Sequence, residues 1–233
     1  MGRTWRMSVV SIDKQKRRIF IVDDHPLVRE WLTNLINQQS DLEVCGEAEN
    51  AADALAGIAR TRPALAVIDI SLNAASGLEL TKDLCIQYPS IASLVLSMHE
   101  EELYAERAMR AGALGYVRKR ETGKSILAAM RCVLEGGIYV SQKLSNAMAL
   151  KFLQGHEAVG IAQSRVGRLS DRELEIFQLL GKGRSTAEIA DELHLSLKTV
   201  QAYSVRAKEK LGLKTAADLL REAILWIENA HLR

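Results

Sequence analysis

Three aspartates end two short apolar segments of the sequence, where carboxylates could bind a cation and take part in phosphoryl chemistry. Asp23 and Asp24 follow the apolar residues 19–22, and Asp69 follows the apolar residues 65–68. If these segments are neighbouring strands of a parallel sheet, their carboxyl ends meet at the edge where such folds bind ligands. Three like charges repel one another, so a cation must balance them, and oxygen ligands suit Mg²⁺. One such aspartate would more simply cap the next helix, but three in matching places favour a binding site.

Two further side chains follow the later apolar segments and a third lies within the last one, and the three could complete a site for a phosphoryl group. Ser97 comes directly after residues 91–96, and Lys119 follows residues 115–117 closely. The serine could donate a hydrogen bond to a phosphoryl oxygen, and the lysine could balance its charge. Tyr116 lies three residues before Lys119. Taken singly, these are a helix cap, a solvated surface group and a partly buried core residue; their succession at consecutive segment ends favours one shared site.

These positions require a parallel sheet, and the pattern from residue 18 to 140 alternates short apolar runs with longer amphipathic stretches. Continuous apolar strands are typical of a sheet that helices cover on both faces. The pattern therefore predicts an α/β fold with a doubly wound, five-stranded parallel sheet of the flavodoxin-like class, in strand order 2-1-3-4-5. The predicted strands cover residues 19–22, 42–46, 65–68, 91–96 and 115–117, and the predicted helices cover residues 27–36, 51–60, 77–88, 101–111 and 125–135.

The alternation ends after residue 140, and the remaining pattern predicts a second domain that is all-α. Residues 144–153 could form one helix, and residues 154–168, with three glycines, are expected to be a linker. Further helices are predicted over residues 171–180, 186–193, 197–211 and 216–230. Ser170 and Glu173 have the spacing of a capping box, and Ser196 is a good N-cap. The second and third of these helices form a predicted helix-turn-helix.

The distribution of charge also divides the chain. The 233 residues carry 31 basic and 29 acidic side chains, yet residues 18–140 have 12 basic and 17 acidic ones. Residues 198–214 have five basic side chains and one acidic one, which could follow a phosphate backbone. We therefore expect an acidic α/β unit at 18–140, a helix plus linker at 141–167 and a helix-turn-helix unit with a basic helix at 168–233. Residues 1–17, with five basic groups and one acid, are expected to be a disordered basic extension.

The composition excludes several classes of protein. With 48% hydrophobic and 26% charged residues, the chain is typical of globular proteins. No apolar run approaches the roughly 20 residues of a membrane span, so no membrane partner is expected. Three widely spaced cysteines fit neither a zinc site nor a set of disulfides. These features predict a cytoplasmic protein.

Residues 18–140 resemble a two-component receiver domain. The resemblance is carried by the segments IVDDHPLVRE, LAVIDISLNAASGLEL, LVLSMHEEELYAERAMRAGALGYVRK and EGGIYVS. It implies the phosphate acceptor Asp69, the switch residues Ser97, Tyr116 and Lys119, and a Mg²⁺ bound by Asp23, Asp24, Asp69 and the carbonyl of Ser71. The chemistry agrees, because a carboxylate that attacks phosphorus forms an acyl phosphate while the cation and the lysine neutralise charge. Asn73 stands where the family usually has proline, which could alter kinase docking or phosphate lifetime.

Residues 168–233 resemble the LuxR-type DNA-binding domain, through LSDRELEIFQLLGKGRSTAEIADELHLSLKTVQAYSVRAKEKLGL. Together the two segments are similar to response regulators of the NarL/FixJ type. The resemblance implies that the third helix of this domain enters the DNA major groove. We expect base contacts from Gln201, Ala202 and Val205, and phosphate contacts from Lys198, Thr199, Tyr203, Arg206 and Lys208. The apolar face of the last helix could form a homodimer on DNA or pack within its own domain.

These resemblances imply a DNA-binding transcription regulator rather than an enzyme. A partner histidine kinase would phosphorylate Asp69, drawing Ser97 and Lys119 toward the phosphate and moving Tyr116 inward. The altered surface would then either free the DNA-binding domain or dimerise it on double-stranded promoter DNA. Two alternatives remain: a regulator of the same build that works without phosphate, and a Mg²⁺-dependent phosphatase with Asp69 as nucleophile.

Overall fold

The structure is a computed structural model that describes residues 16–72, 75–98, 101–146 and 165–231. Strands β1 to β7 cover Arg17–Val22, Leu42–Ala48, Leu65–Asp69, Ser71–Leu72, Ala75–Ser76, Ala92–Ser97 and Gly115–Arg118. Helices α1 to α9 cover Pro26–Asn37, Ala51–Thr61, Gly77–Gln87, Glu101–Arg110, Gly123–Leu134, Asp171–Gly181, Thr186–Glu192, Leu197–Lys210 and Ala216–His231. We call residues 16–146 the sheet domain and residues 165–231 the helical domain.

Five parallel strands form the central sheet in the order β2-β1-β3-β6-β7, which confirms the predicted fold class. The inner strands β3 and β6 are buried almost throughout because helices cover both faces of the sheet. Residues of α1 and α5 pack with one face, and residues of α2 and α3 pack with the other. In the register of the sheet, Val22 lies opposite Ile68 and Asp69 lies opposite Leu96. This register brings the carboxyl ends of β1, β3 and β6 to one edge.

Three features of the sheet domain differ from expectation or fall beyond it. Strand β1 begins at Arg17, two residues earlier than expected, and the Lys16 ammonium donates to the Gln39 carbonyl at 2.9 Å. A two-stranded antiparallel hairpin, β4–β5, follows Asp69 where the sequence showed no strand pattern. Residues 142–146 are helical. The rest of the predicted helix at 144–153, most of the predicted linker, residues 1–15 and Asn73 lie outside the described residues.

The helical domain has the predicted four helices, and its local caps are those expected from the sequence. The Ser170 hydroxyl accepts from the Glu173 amide while the Glu173 carboxylate accepts from the Ser170 amide, so the capping box at α6 is confirmed. The Ser196 hydroxyl accepts from the Thr199 amide at the start of α8. Between α7 and α8 the chain turns at His194, whose φ of 51° is left-handed. Helices α7 and α8 thus form the predicted helix-turn-helix.

Helix α6 is buried on almost every side, because one face packs within the helical domain and the other packs on the sheet domain. Its residues Leu174 and Phe177 share one apolar cluster with Tyr104 and Tyr116 of the sheet domain. Polar residues of α6 are buried as well, and they require partners across the contact. In the described part of the chain, no helix combines the length and the apolar character that crossing a membrane requires.

Candidate functional site

An acidic pocket lies at the carboxyl edge of the sheet, where β1, β3 and β7 end. The side chains of Asp23 and Asp69 are 2% and 3% exposed. The Lys119 ammonium lies 2.7 Å from Asp23 Oδ2 and 2.7 Å from Asp69 Oδ2. Its position follows from β7, because the Lys119 amide donates to the Ser97 carbonyl at 2.8 Å. The structure therefore brings the predicted aspartates and the predicted lysine into direct contact.

The remaining aspartate of the cluster has a buried oxygen that could accept a cation. Asp24 Oδ1 lies 2.7 Å from His25 Nδ1, but the approach lacks hydrogen-bond geometry, and no described residue donates to that oxygen. His25 is also tied to Asp23, whose Oδ1 accepts from the His25 amide at 2.9 Å. Ligand atoms of Asp23, Asp24, His25 and Asp69 all lie within 4.8 Å of one another. From the sequence we did not assign His25 to the site, and the structure places it at the rim.

Burial governs the electrostatics of this pocket. It raises the pKa of Asp69 to about 7, with Asp23 and Asp24 adding to the rise and Lys119 opposing it. Burial by itself lowers the pKa of Lys119, but the carboxylates of Asp69 and Asp23 more than offset this, so the pKa of the ammonium is raised. Lys119 therefore stays charged and compensates part of the negative charge. With all three aspartates ionised, Lys119 balances one negative charge and two remain. A divalent cation with oxygen ligands would neutralise these two.

Ser97 and Tyr116 lie side by side behind the pocket. Ser97 is 0% exposed, Tyr116 is 1% exposed, and their side chains are hydrogen bonded. Burial raises the pKa of the Tyr116 phenol, which keeps it neutral. We expected Tyr116 to move inward and Lys119 to move toward Asp69 on phosphorylation. Both are already there in this structure, because the apolar cluster around α4 and α6 holds the tyrosine and the two carboxylates hold the lysine.

The β4–β5 hairpin carries Ser71 and lies against the backbone of Asp69. The Gly77 amide, just after the hairpin, donates to the Ile70 carbonyl at 2.8 Å. A Cβ atom at Gly77 would lie 1.8 Å from the Asp69 carbonyl oxygen, so only glycine permits this approach. The hairpin is thereby held at both of its ends. Ser71 is two residues beyond Asp69. Its carbonyl is the one that the resemblance implies as a Mg²⁺ ligand beside the aspartates.

The helical domain contacts this same region through charged side chains. Arg107 of α4 donates to the Leu169 carbonyl at 2.9 Å and pairs with Asp171 at 2.8 Å. The Ser71 hydroxyl donates to Glu175 Oε1 at 2.7 Å, and Arg172 donates to the Leu72 carbonyl at 2.8 Å. Sequence reasoning assigned Ser71 to the site only through its carbonyl. It missed Arg107, Arg172 and Glu175, because their partners in the other domain lie at least 62 positions away.

The predicted DNA-contacting residues lie on α8, and they differ in exposure. Lys198, Gln201, Val205 and Arg206 are exposed; Thr199, Ala202, Tyr203 and Lys208 are half-buried. The Arg206 guanidinium stacks on the Tyr203 ring at 4.7 Å from its centroid. Both residues also line a cavity of about 310 Å³ together with Ser76 and Glu79 of the sheet domain. Part of the predicted DNA surface therefore faces the sheet domain.

Lys210 and the last helix, α9, lie outside the predicted DNA-contact set. In the sequence Lys210 adds to the basic character of α8. In the structure its ammonium lies 2.6 Å from Glu173 Oε2, so it forms an ion pair within the helical domain. On α9, Leu219 and Ala223 are buried within the domain, whereas Leu220 and Ile224 are 41% and 37% exposed. The last helix thus packs its own domain with one side and presents apolar residues on another.

Two family models match the chain, one for each domain. The response regulator receiver domain matches residues 19–131, and the luxR family of bacterial regulatory proteins matches residues 167–223. The oxygen regulatory protein NreC of Staphylococcus aureus is 33% identical over 209 residues, which cover 89% of this chain and 96% of that protein.

Solved structures of the same kind are similar in fold. A LuxR-family two-component response regulator from Aurantimonas sp. SI85-9A1 is 30% identical, with a TM-score of 0.55 over 59% of this chain and 99% of that one. RcsB from Salmonella enterica serovar Typhimurium, bound to promoter rprA with the phosphomimetic BeF3⁻, has a TM-score of 0.56. It is 23% identical and covers 88% of this chain and 97% of that one.

Proposed function

Because the chain belongs to the two-component response regulators that join a receiver domain to a LuxR-type DNA-binding domain, we propose that phosphorylation of Asp69 controls its binding to promoter DNA. The sheet domain is the receiver, and the helical domain is the DNA-binding unit. The observation that carries the proposal is the buried contact of Asp23, Asp69 and Lys119, with 2.7 Å from the ammonium to each carboxylate. Such a group of charges has no structural need in a small α/β domain and costs stability.

The proposed reaction is transfer of a phosphoryl group to a carboxylate. A carboxylate oxygen of Asp69 attacks phosphorus while the bond from phosphorus to a histidine nitrogen of the kinase breaks, which leaves an acyl phosphate on Asp69. Lys119 neutralises charge on the transferred group, and the Ser97 hydroxyl can donate to one of its oxygens. Asp23, Asp24, Asp69 and the Ser71 carbonyl would hold Mg²⁺. When bound, this cation would neutralise the negative charge that accumulates on the phosphoryl oxygens.

The contact between the domains supports a switch that works by release. Tyr203 and Arg206 line a cavity with Ser76 and Glu79, so the sheet domain stands next to part of the proposed DNA surface. Phosphorylation would favour an open form in which α8 reaches the major groove. On DNA we propose a homodimer, which would double the modest basic surface of α8 on paired half-sites. The proposed location is the cytoplasm, where promoter DNA and a kinase donor are both accessible.

The DNA surface of α8 divides into two proposed roles. Gln201, Ala202 and Val205 would contact bases, since a glutamine amide can bond adenine with two hydrogen bonds. Lys198, Thr199, Tyr203, Arg206 and Lys208 would contact phosphates. The exposure of Gln201 and Val205 is consistent with this division.

The alternatives predict different behaviour of the same protein. A regulator that works without phosphate would bind DNA equally before and after exposure to a phosphodonor. A Mg²⁺-dependent phosphatase would release many phosphates per chain, and the DNA-reading domain gives no reason for such turnover. Only the proposed function requires one phosphate per chain together with a change in DNA affinity.

The test uses the full chain with acetyl phosphate and Mg²⁺, followed by selection of bound duplexes from a random DNA library. Intact-mass spectrometry measures phosphate on the wild type, on Asp69→Asn and on Asp83→Asn. Asp83 is an exposed carboxylate on α3, and its variant is the matched control. We expect phosphate and tighter DNA binding for the wild type and the control, and neither for Asp69→Asn. Unchanged DNA affinity in a fully modified wild type would overturn the switch.

A further inference from the structure

Two charged side chains of the helical domain reach the hairpin that follows Asp69. The Ser71 hydroxyl donates to Glu175 Oε1 at 2.7 Å, and Arg172 Nη2 donates to the Leu72 carbonyl at 2.8 Å. Arg172 Nη1 and Glu175 Oε2 are paired at 2.6 Å, and their side chains are 10% and 6% exposed. We call these four residues the hairpin clamp.

The clamp acts on a part of the backbone that cannot move independently of Asp69. The Gly77 amide donates to the Ile70 carbonyl, and Gly77 packs so closely on the Asp69 carbonyl that no side chain fits between them. Densely packed backbone of this kind does not deform gradually, because any shift breaks contacts outright. A change in the position of Ser71 and Leu72 therefore reaches Asp69 through the chain itself.

The clamp is also a two-state element. A buried arginine and a buried glutamate are tolerated only while each has its partners. Here the arginine is satisfied by the glutamate and by the Leu72 carbonyl, and the glutamate by the arginine and the Ser71 hydroxyl. Partial opening would leave a charge buried without a partner, so the clamp is either formed with the domains together or fully solvated with the domains apart.

We propose that Arg172 and Glu175 are positioning residues for the phosphorylation site, which hold the β4–β5 hairpin in the arrangement of the closed, unphosphorylated protein. This inference rests on the proposed function and names the residues that regulate it. In the closed form Tyr203 and Arg206 line a cavity against the sheet domain, so a DNA duplex on this side of α8 would have to occupy the space next to Ser76 and Glu79. If a phosphoryl group at Asp69 favours the open form, linkage requires the closed clamp to weaken binding of that group by the same factor.

The test measures equilibrium binding of a phosphoryl analogue by the full chain. The probe is beryllofluoride in saturating Mg²⁺, and its affinity is read by fluorine NMR or by calorimetry. We expect Glu175→Gln and Ser71→Ala each to raise the affinity about fivefold, which is the lower end of common coupling between sites. The double variant should gain less than the sum of the two single ones, because Ser71→Ala removes the donor of the Ser71–Glu175 bond and Glu175→Gln removes the charge of its acceptor.

Arg107→Gln is the matched control at the same contact between domains. It removes the pairing of Arg107 with Asp171, whose other oxygen accepts from Ser76 of β5 at 3.4 Å, and it leaves the bonds of Ser71 and Leu72 in place. Its effect on probe affinity should therefore add fully to that of Ser71→Ala, whereas the effect of Glu175→Gln should not. Glu175→Gln leaves the Arg172 charge buried and could impair folding, so Ser71→Ala, which removes only a hydroxyl, keeps the test decisive.

The outcomes separate this inference from the function on which it rests. If the wild type does not bind the probe, or if Asp69→Asn binds it equally well, the proposed function fails. If binding requires Asp69 but Ser71→Ala and Glu175→Gln leave the affinity within twofold of the wild type, the clamp has no positioning role. Full additivity of these two substitutions would refute the inference as well.

Discussion

Replacing Asp69 with asparagine should stabilise the metal-free protein at pH 8 and have a much smaller effect at pH 5. Asp69 is 3% exposed, and burial raises its pKa from an ordinary 3.8 to about 7. The folded state therefore favours the protonated carboxyl. The stability that this group contributes is complete below about pH 4 and is lost as the pH rises through 7. Asparagine resembles the protonated carboxyl in shape and carries no charge, so it removes the loss.

The expected magnitude follows from the same pKa. A rise from 3.8 to about 7 corresponds to about 4 kcal/mol at high pH. Less than half of this cost is already present at pH 5, because the unfolded carboxyl is then ionised and the folded one is not. The free energy of unfolding gained by Asp69→Asn should therefore be about 2–3 kcal/mol larger at pH 8 than at pH 5. Any constant effect of the amide beside Lys119 cancels in this difference.

The assay is urea unfolding followed by far-ultraviolet circular dichroism, in EDTA, at both pH values. Asp83→Asn makes the same substitution at an exposed carboxylate of α3 and should show no such difference. Mg²⁺ should stabilise the wild type at pH 8, because a ligand that binds only the folded state adds to its stability. It should stabilise Asp69→Asn less, because the variant lacks one of the proposed carboxylate ligands. An equal gain in the free energy of unfolding at pH 5 and pH 8, or a loss at pH 8, would show that burial of the ionised Asp69 carboxylate does not destabilise the protein.

Three further predictions concern the helical domain. Phe177→Ala should lower the free energy of unfolding by about 3–5 kcal/mol, since the ring is 0% exposed and lies edge-on to Trp226 at 5.8 Å; a loss below 1 kcal/mol in urea unfolding would contradict this. Ser196→Ala should cost about 1 kcal/mol of stability and Ser196→Gly only a few tenths, as seen by thermal unfolding, because glycine also tolerates an N-cap. Lys208→Ala should weaken binding to all duplexes and reduce the salt slope by about one, whereas Gln201→Ala should change the preferred base. Equal losses across sequences for both variants would defeat the division of roles.

The acidic pocket was predictable because its residues lie at the ends of strands that short patterns identify. An apolar run of four or five residues followed by aspartate fixes both the strand and the edge at which the carboxylate emerges. Parallel pairing then brings Asp23, Asp69 and Lys119 together without further information, since all the carboxyl ends lie at one edge. The capping box at Ser170 and the N-cap at Ser196 were predictable for the same reason, because both serines bond to amides only three residues away.

The helical domain was predictable as a set of elements but not as a partner of the sheet domain. The spacing of its apolar residues and its N-cap residues define each helix from nearby sequence alone. The same pattern could not reveal that α6 is covered on both sides, because its polar residues resemble an ordinary solvated face in sequence. Their burial depends on partners in another domain.

The strands, the helices, the acidic edge and the basic helix α8 follow from the amino-acid sequence alone, because each depends on neighbours a few residues apart. The folded chain adds that Tyr116 already lies inward, that a hairpin follows Asp69, and that Arg172 and Glu175 contact this hairpin from the other domain. The physical reason is the separation along the chain. The Ser71–Glu175 bond joins residues 104 positions apart, and the Arg172–Leu72 bond joins residues 100 positions apart. No local pattern records a contact that forms only when two completed domains pack together.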